Sequence, residues 1–307
     1  MNIADRKFWS LANEIAGLST AELYYRIRSS FEKVDTSIKK SCADFFNRFN
    51  YWGRLDPDNG IFEEIELKVK ALSEHINDFA RTYERLADYR SKMTLYAVLS
   101  NWYRYDFTAA SQAREYLFDD YFDLDLVQCE RDETFADLGA FVGDTVLSFI
   151  NNYGPDCYKR IYCYEITPDS FSALSKNLNG LRDVVLRPVG VADAPGRASF
   201  SGNSAGSSAN TLCDNGDDIE VTTLDDDIKE PLTIIKADIE GSEYRALLGA
   251  RRHISNERPK LLISVYHNNE DLWRIPELID EILPGYRFFL RYRSSHLYPT
   301  EITLFAL

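Results

Sequence analysis

From about residue 133 onward the chain alternates short apolar runs with helical stretches, and this alternation limits the fold more than any other feature. Candidate strands are TFADL, RIYCYE, VVLRPVGVA, LTIIKAD, KLLISVY, YRFFLRY and EITLFAL. Helices are predicted between them at 143–152, 168–179, 241–252 and 272–283. Strands joined through helices run parallel, so the pattern predicts a mostly parallel sheet with crossovers. Between the third and fourth strands lies SGNSAGSSANTLCDNGDD, residues 201–218. It is too rich in Ser, Gly and Asn to pack a core and reads as a mobile loop, either a lid or a plain surface connection.

The first 130 residues read as helix, which places the domain boundary between 1–130 and 131–307. Ser19 and Glu22 in STAE have capping-box spacing, so a helix is predicted from about 20 to 50. DPDNG, residues 56–60, breaks it. A second helix carries Phe62, Ile65, Val69, Leu72, Ile76, Phe79, Tyr83 and Leu86 at alternating spacings of three and four. The first helix carries a matching stripe of Leu23, Ile27, Phe31, Val34, Ile38, Phe45 and Phe49. Two readings fit: an antiparallel hairpin of these helices, or a homodimer seam, with dimerisation also compatible with the hairpin. More helix is predicted around 91–120.

Charge narrows the partners. The 49 acids outnumber the 35 bases, for a formal net charge of −14. Such a chain is repelled by polyphosphate, which argues against nucleic acid. No run approaches the ~20 apolar residues of a membrane span. The start, MNIADRKFWSLANE, lacks a signal-peptide pattern, so a cytoplasmic location is expected. The five cysteines form no Cys-x-x-Cys and read as unpaired thiols.

The polar residues collect at predicted strand ends, where open α/β sheets bind ligands. Strand one ends at Asp137, followed by Gly139 and Gly143; the next helix starts with Asp144. Strand two ends at Glu165, strand four at Asp238 and strand five at His267. The spacing from Gly139 to Gly143 does not fit the dinucleotide pattern G-x-G-x-x-G. A phosphate at that helix start would meet Asp144 and Asp137; like charges ~4 Å apart cost about 4 kcal/mol at an effective dielectric of 20. A ligand with an adenosine, a sulfonium and an ammonium fits better, and S-adenosylmethionine is such a ligand. Asp137 is expected to stabilise its cationic end, Gly139 to let the backbone come close, and Glu165 to accept both ribose hydroxyls.

These residues resemble the FkbM family of S-adenosylmethionine-dependent methyltransferases. DLGAFVGDT is similar to its glycine motif, YEITP to its ribose-binding segment, and IKADIEGSEYRALLGA to its Lys-x-Asp-x-Glu-Gly-x-Glu signature. SVYHNNEDLWRIPELI resembles a motif of one branch, and weaker similarity begins at LADYRSK, so about residues 85–307 are covered. RYRSSH, residues 291–296, departs from an expected Arg-His-Tyr. The resemblance implies a class I methyltransferase fold, Rossmann-like, with seven strands in the order 3-2-1-4-5-7-6 and the last antiparallel. It implies cofactor contacts from the glycine motif (Asp137, Gly139, Ala140, Phe141, Gly143, Asp144, Thr145), from Glu165 and Ile166, and from Asp238. It also implies O-methylation of a small acceptor: a sugar or nucleotide sugar for surface polysaccharide, or a secondary-metabolite hydroxyl.

A sugar hydroxyl needs a general base in the transition state. His267 is the first candidate and Asp238 the second. A third arrangement has Asp238, Glu240 and His267 hold a divalent ion. Glu240, Tyr266, Trp273 and Arg291 are candidate acceptor contacts, with Arg293 beside Arg291; Tyr266 and Trp273 would stack on a sugar face. Glu243 fits the helix N-terminus, and Arg251 and Arg252 a helix end. Rival readings are a nucleotide-dependent oxidoreductase and a non-catalytic module that recruits a partner through its N-terminal helices.

Overall fold

The structure is a computed structural model; it describes residues 1–49, 52–118, 121–202, 210–213, 217–294 and 298–307. The N-terminal part is helical, with α1 (Ile3–Ala16), α2 (Thr20–Glu32) and α3 (Thr36–Arg48). A small hairpin of β1 (Leu55–Asp56) and β2 (Ile61–Phe62) follows. Next come α4 (Glu63–Arg85), α5 (Tyr89–Arg104) and α6 (Phe107–Ala113). The α/β part contains β3 (Glu133–Leu138), α7 (Asp144–Tyr153), β4 (Tyr158–Tyr164), α8 (Pro168–Asn177) and β5 (Val184–Arg187). Four strands, β6 (Gly190–Val191), β7 (Gly196–Gly202), β8 (Asn210–Cys213) and β9 (Asp217–Thr222), form a separate sheet. Then follow α9 (Leu224–Asp227), β10 (Ile234–Ala237), α10 (Glu243–Leu248), α11 (Arg251–Glu257), β11 (Lys260–Ser264), α12 (Asp271–Ile282), β12 (Phe288–Tyr292) and β13 (Ile302–Ala306).

The large sheet is mixed, seven-stranded and ordered β12-β13-β11-β10-β3-β4-β5. Numbered from β3 as the first strand, this is the predicted 3-2-1-4-5-7-6 order read from the other edge. Pairs β10/β11, β10/β3, β3/β4 and β4/β5 are parallel, so Asp137, Glu165 and Asp238 fall at carboxyl ends along one edge.

The chain divides into two compact units. One comprises 1–115, 265–277 and 287–304; the other comprises 116–264, 278–286 and 305–307. The first unit therefore takes in residues well beyond the expected boundary at 130. In it, α4 packs against α1 and α2. All eight apolar residues read from the α4 stripe, Phe62 to Leu86, are buried. The predicted 20–50 helix, however, is two helices. Asp35 accepts from the Ser37 amide at 2.8 Å and starts α3 afresh. The break resets the phase: Leu23, Ile27 and Phe31 are buried, but beyond it Cys42 and Phe46 take the inner face. Helix α1 lies ahead of the two helices that the apolar stripes predict. Asn2 and Asp5 cap it reciprocally at 3.0 Å, and Phe8, Leu11, Ala12 and Ile15 form its buried stripe.

Of the expected loop at 201–218, residues 203–209 and 214–216 lie outside the described residues, and its remaining segments belong to strands β7, β8 and β9. Ser295 and His296 of RYRSSH also lie outside them. Among the described residues, Cys42, Cys129, Cys157 and Cys163 are unpaired thiols. Among the described residues no helix is long and apolar enough to cross a membrane.

Candidate active site

The site is built around a lysine inside the sheet. Lys236 lies in β10 opposite Asp137 of β3, and its ammonium is 3.0 Å from Asp137 Oδ1, with side-chain exposures of 2% and 0%. The ammonium also donates to the Gly139 carbonyl at 2.8 Å and to the Leu138 carbonyl at 3.3 Å. One cation thus holds the end of β3 and the first residue of the glycine turn. Burial and the neighbouring Asp144 and Asp238 push the Asp137 carboxyl up to about 6, against the pull of Lys236. Asp137, Asp238 and Asp144 outweigh the desolvation of Lys236 and keep it protonated.

Asp137 faces Lys236, which compensates its charge within the protein. Gly139, at φ +75°, is required by a close approach of protein backbone: a Cβ there would lie 1.9 Å from the Asp238 carbonyl oxygen. The missing side chain makes room for β10's end. A lysine flanked by Ile235 and Ala237 in an otherwise apolar parallel strand was the available signal, because a charge placed there demands a partner.

The turn then leads into α7. Ala140 is buried, and its carbonyl accepts from the Gly143 amide at 2.7 Å. Asp144 is exposed in the first turn of α7, and Thr145 behind it is buried. The turn is tied to the next strand through Glu165, whose Oε2 accepts from the Phe141 amide at 3.0 Å and whose Oε1 accepts from the Thr167 amide at 2.7 Å. Desolvation raises the Glu165 pKa despite these amides. A carboxylate has about four lone-pair directions, so these two bonds leave acceptor capacity on each oxygen. Ile166, beside it, is half-buried.

Asp238 stands just beyond β10. Its Oδ2 accepts from the Tyr121 hydroxyl at 2.6 Å, a contact over 117 residues of sequence for which no motif gave a signal. The chain then turns through Glu240 and Gly241, at φ +54° and +96°. Among the described residues, Glu243 brings a carboxylate oxygen within 4.8 Å of one of Asp238. Glu243 is fully buried at the start of α10 and accepts from the Ile239 amide at 2.9 Å.

The remaining candidates belong to the first unit. His267 is 3% exposed, with its ring centroid 4.1 Å from that of Tyr266. The Tyr266 carbonyl accepts from Trp52 Nε1 at 2.8 Å. Trp273 stacks on His75, centroids 4.5 Å apart, so one face of its indole is spent on α4. Arg291 is 1% exposed and donates to Asp88 Oδ2 at 2.8 Å, Ser91 Oγ at 3.1 Å and the Leu290 carbonyl at 2.9 Å. This buried guanidinium fastens β12 to the start of α5.

The strand order, the glycine turn after β3 and the acids at the next strand ends define a class I methyltransferase. The model of the methyltransferase FkbM domain matches residues 137–291, just over half of the 307 residues. The chain belongs to the FkbM methyltransferase family, which decides against the oxidoreductase reading. A solved structure of methyltransferase FkbM from Methylobacillus flagellatus KT is 26% identical, with 89% of this chain and 72% of that one covered and a TM-score of 0.69. An rRNA methylase from Streptococcus thermophilus is 13% identical over 58% of this chain and 87% of its own, TM-score 0.38. Aeropyrum pernix fibrillarin, solved with bound S-adenosyl-L-methionine, is 12% identical over 58% and 67%, TM-score 0.35. Comparison with curated proteins gives no match.

Proposed function

We propose that this methyltransferase uses S-adenosylmethionine to methylate a hydroxyl of a small sugar acceptor, taken as a nucleotide sugar. The observation that carries the cofactor half is Glu165, an acid beyond β4 clamped to the glycine turn by the Phe141 amide at 3.0 Å. Its remaining lone pairs suit a ribose diol. Asp144 at the start of α7 disfavours a diphosphate there. With Asp137 compensated by Lys236, the acids that favour a cationic ligand are Asp144, Glu165 and Asp238.

Bound S-adenosylmethionine supplies the methyl group and the leaving group. The protein aligns the acceptor and receives its proton. Alignment of this kind is worth ~7–11 kcal/mol. His267, three residues past the end of β11, is the proposed proton acceptor, and Asp238 orients the hydroxyl. Family membership supports methyl transfer; the sugar is the further step.

Calorimetry with S-adenosylhomocysteine tests the cofactor half: binding is expected in wild type, weakened roughly 10- to 100-fold in Glu165→Gln. No heat and no thermal shift at millimolar ligand would end this reading. A methylation screen over nucleotide sugars and free hydroxylated metabolites tests the acceptor. Turnover that survives His267→Ala and Asp238→Ala would remove the assigned roles.

A further inference from the structure

The apolar stripe of α4 is spent inside the first unit, where its residues from Phe62 to Leu86 are buried, so a second chain cannot use it as a seam. The same unit carries a separate groove between α2 and α4, with a volume of about 750 Å³. Tyr24 and Tyr25 line it from α2, and Glu66, Val69, Lys70 and Glu74 line it from α4. Val69 is buried, whereas Tyr25 is 72% exposed. Leu67, 40% exposed, stands three residues before Lys70 and so lies on the same side of α4.

The charges of this groove are ordered. Glu66, Lys70 and Glu74 follow one another at steps of four and form one row along α4. Glu and Lys four apart ordinarily pair along a helix. Among the described residues Lys70 pairs with neither acid and Glu66 with no base. The row therefore reads minus, plus, minus toward whatever fills the groove. An anion would meet two acids for one base. A second copy of the row, turned end over end about a two-fold axis, complements it. With the axis midway between Glu66 and Lys70, or between Lys70 and Glu74, a lysine comes opposite a glutamate twice. An axis at Lys70 itself would oppose like charges, which excludes that register. Tyrosine, with an apolar ring and a polar hydroxyl, suits the centre of such an interface.

We propose that the α2–α4 groove docks a second copy of this chain in an antiparallel, two-fold dimer. Tyr25 enters the partner's groove, and Lys70 stands opposite the partner's Glu66 or the partner's Glu74. Dimerisation of this kind is independent of the cofactor and acceptor readings.

Sedimentation velocity of the full chain, from low micromolar to submillimolar concentration, tests it. Wild type is expected to pass from monomer to dimer across that range. Lys70→Glu turns both cross-pairs into repulsions, and Tyr25→Ala empties the groove; each is expected to raise the dissociation constant at least about tenfold. Glu66→Lys/Glu74→Lys should be impaired alone but should associate with Lys70→Glu in a mixture, because an all-acidic row and an all-basic row match in every register. These four side chains are exposed, so the variants are expected to fold, and thermal melts check that. Should Tyr25→Ala not fold, the charge variants and their mixture decide alone. Wild type that stays monomeric throughout would leave the groove to another protein or a small ligand and overturns the proposal. A dimer unmoved by both Lys70→Glu and Tyr25→Ala overturns it too, since its interface then lies elsewhere.

Discussion

Lys236 of β10 and Asp137 of β3 form an ion pair of 3.0 Å inside the sheet, and the same ammonium holds the Gly139 carbonyl at 2.8 Å. The pair therefore couples sheet stability to the shape of the glycine turn. Removing one member of a buried pair leaves the other charge uncompensated, at about 3–5 kcal/mol. Lys236→Met is expected to lose that much at pH 8 in urea unfolding. The double variant Lys236→Met/Asp137→Leu should recover most of it, because no orphan charge remains. A double variant as unstable as the single would show that the two side chains are not coupled.

The same pair predicts a pH dependence. The Asp137 carboxyl, near 3.8 when unperturbed, is pushed up to about 6 in the folded protein, chiefly by burial. A raised pKa means that the folded state binds the proton more tightly than the unfolded chain. The contribution from Asp137 is thus most favourable below about pH 4 and declines as pH rises through 6, by ~3 kcal/mol. Unfolding free energies of wild type and Asp137→Asn, compared from pH 4 to 7, should show wild type losing ground to the variant across this window. A constant difference would place the Asp137 titration elsewhere.

What could be read in advance follows from how local each cause is. The stripe of α4 and the strand-helix alternation are repeating patterns within one element, and both stand in the structure. The split between α2 and α3 is marked only by Asp35, a single capping residue within a continuous run of apolar spacings. The acids at the strand ends were visible, but their partners were not. Asp137 meets Lys236 across a strand pair, and Asp238 meets Tyr121 across 117 residues. The partner of Arg291, Asp88, was not visible either, because the spacing between them carries no periodicity. Sequence pattern reports which residues want a partner and is silent about which distant one they find.

Two glycines with nearly equal φ separate conformation from crowding. Gly139 has φ +75° and a Cβ site 1.9 Å from the Asp238 carbonyl oxygen; Gly60 has φ +71° with nothing within 4 Å. Gly60→Ala should cost only the left-handed backbone term, about 1 kcal/mol. Gly139→Ala must also part β3 from the end of β10, so a cost of at least about 2–3 kcal/mol is expected. It should abolish S-adenosylhomocysteine binding, whereas Gly60→Ala leaves it intact. Thermal melts and calorimetry on the two variants check this, and equal melting temperatures would contradict the geometry.

Arg291 distinguishes a structural cation from a substrate contact. Its guanidinium holds Asp88, Ser91 and the Leu290 carbonyl while 1% exposed, and Arg291 in turn lowers the Asp88 pKa, although burial opposes it. Lysine offers a point charge without the fork that spans both Asp88 oxygens. Arg291→Lys is therefore expected to destabilise by about 1–3 kcal/mol, and Arg291→Ala by about 3–5 kcal/mol, because Ala leaves Asp88 and Ser91 without their cation. At temperatures where the variants stay folded, S-adenosylhomocysteine affinity should match wild type. Urea unfolding and calorimetry measure the two quantities separately. If Arg291→Lys keeps full stability, the tether from β12 to α5 is not what buries this arginine.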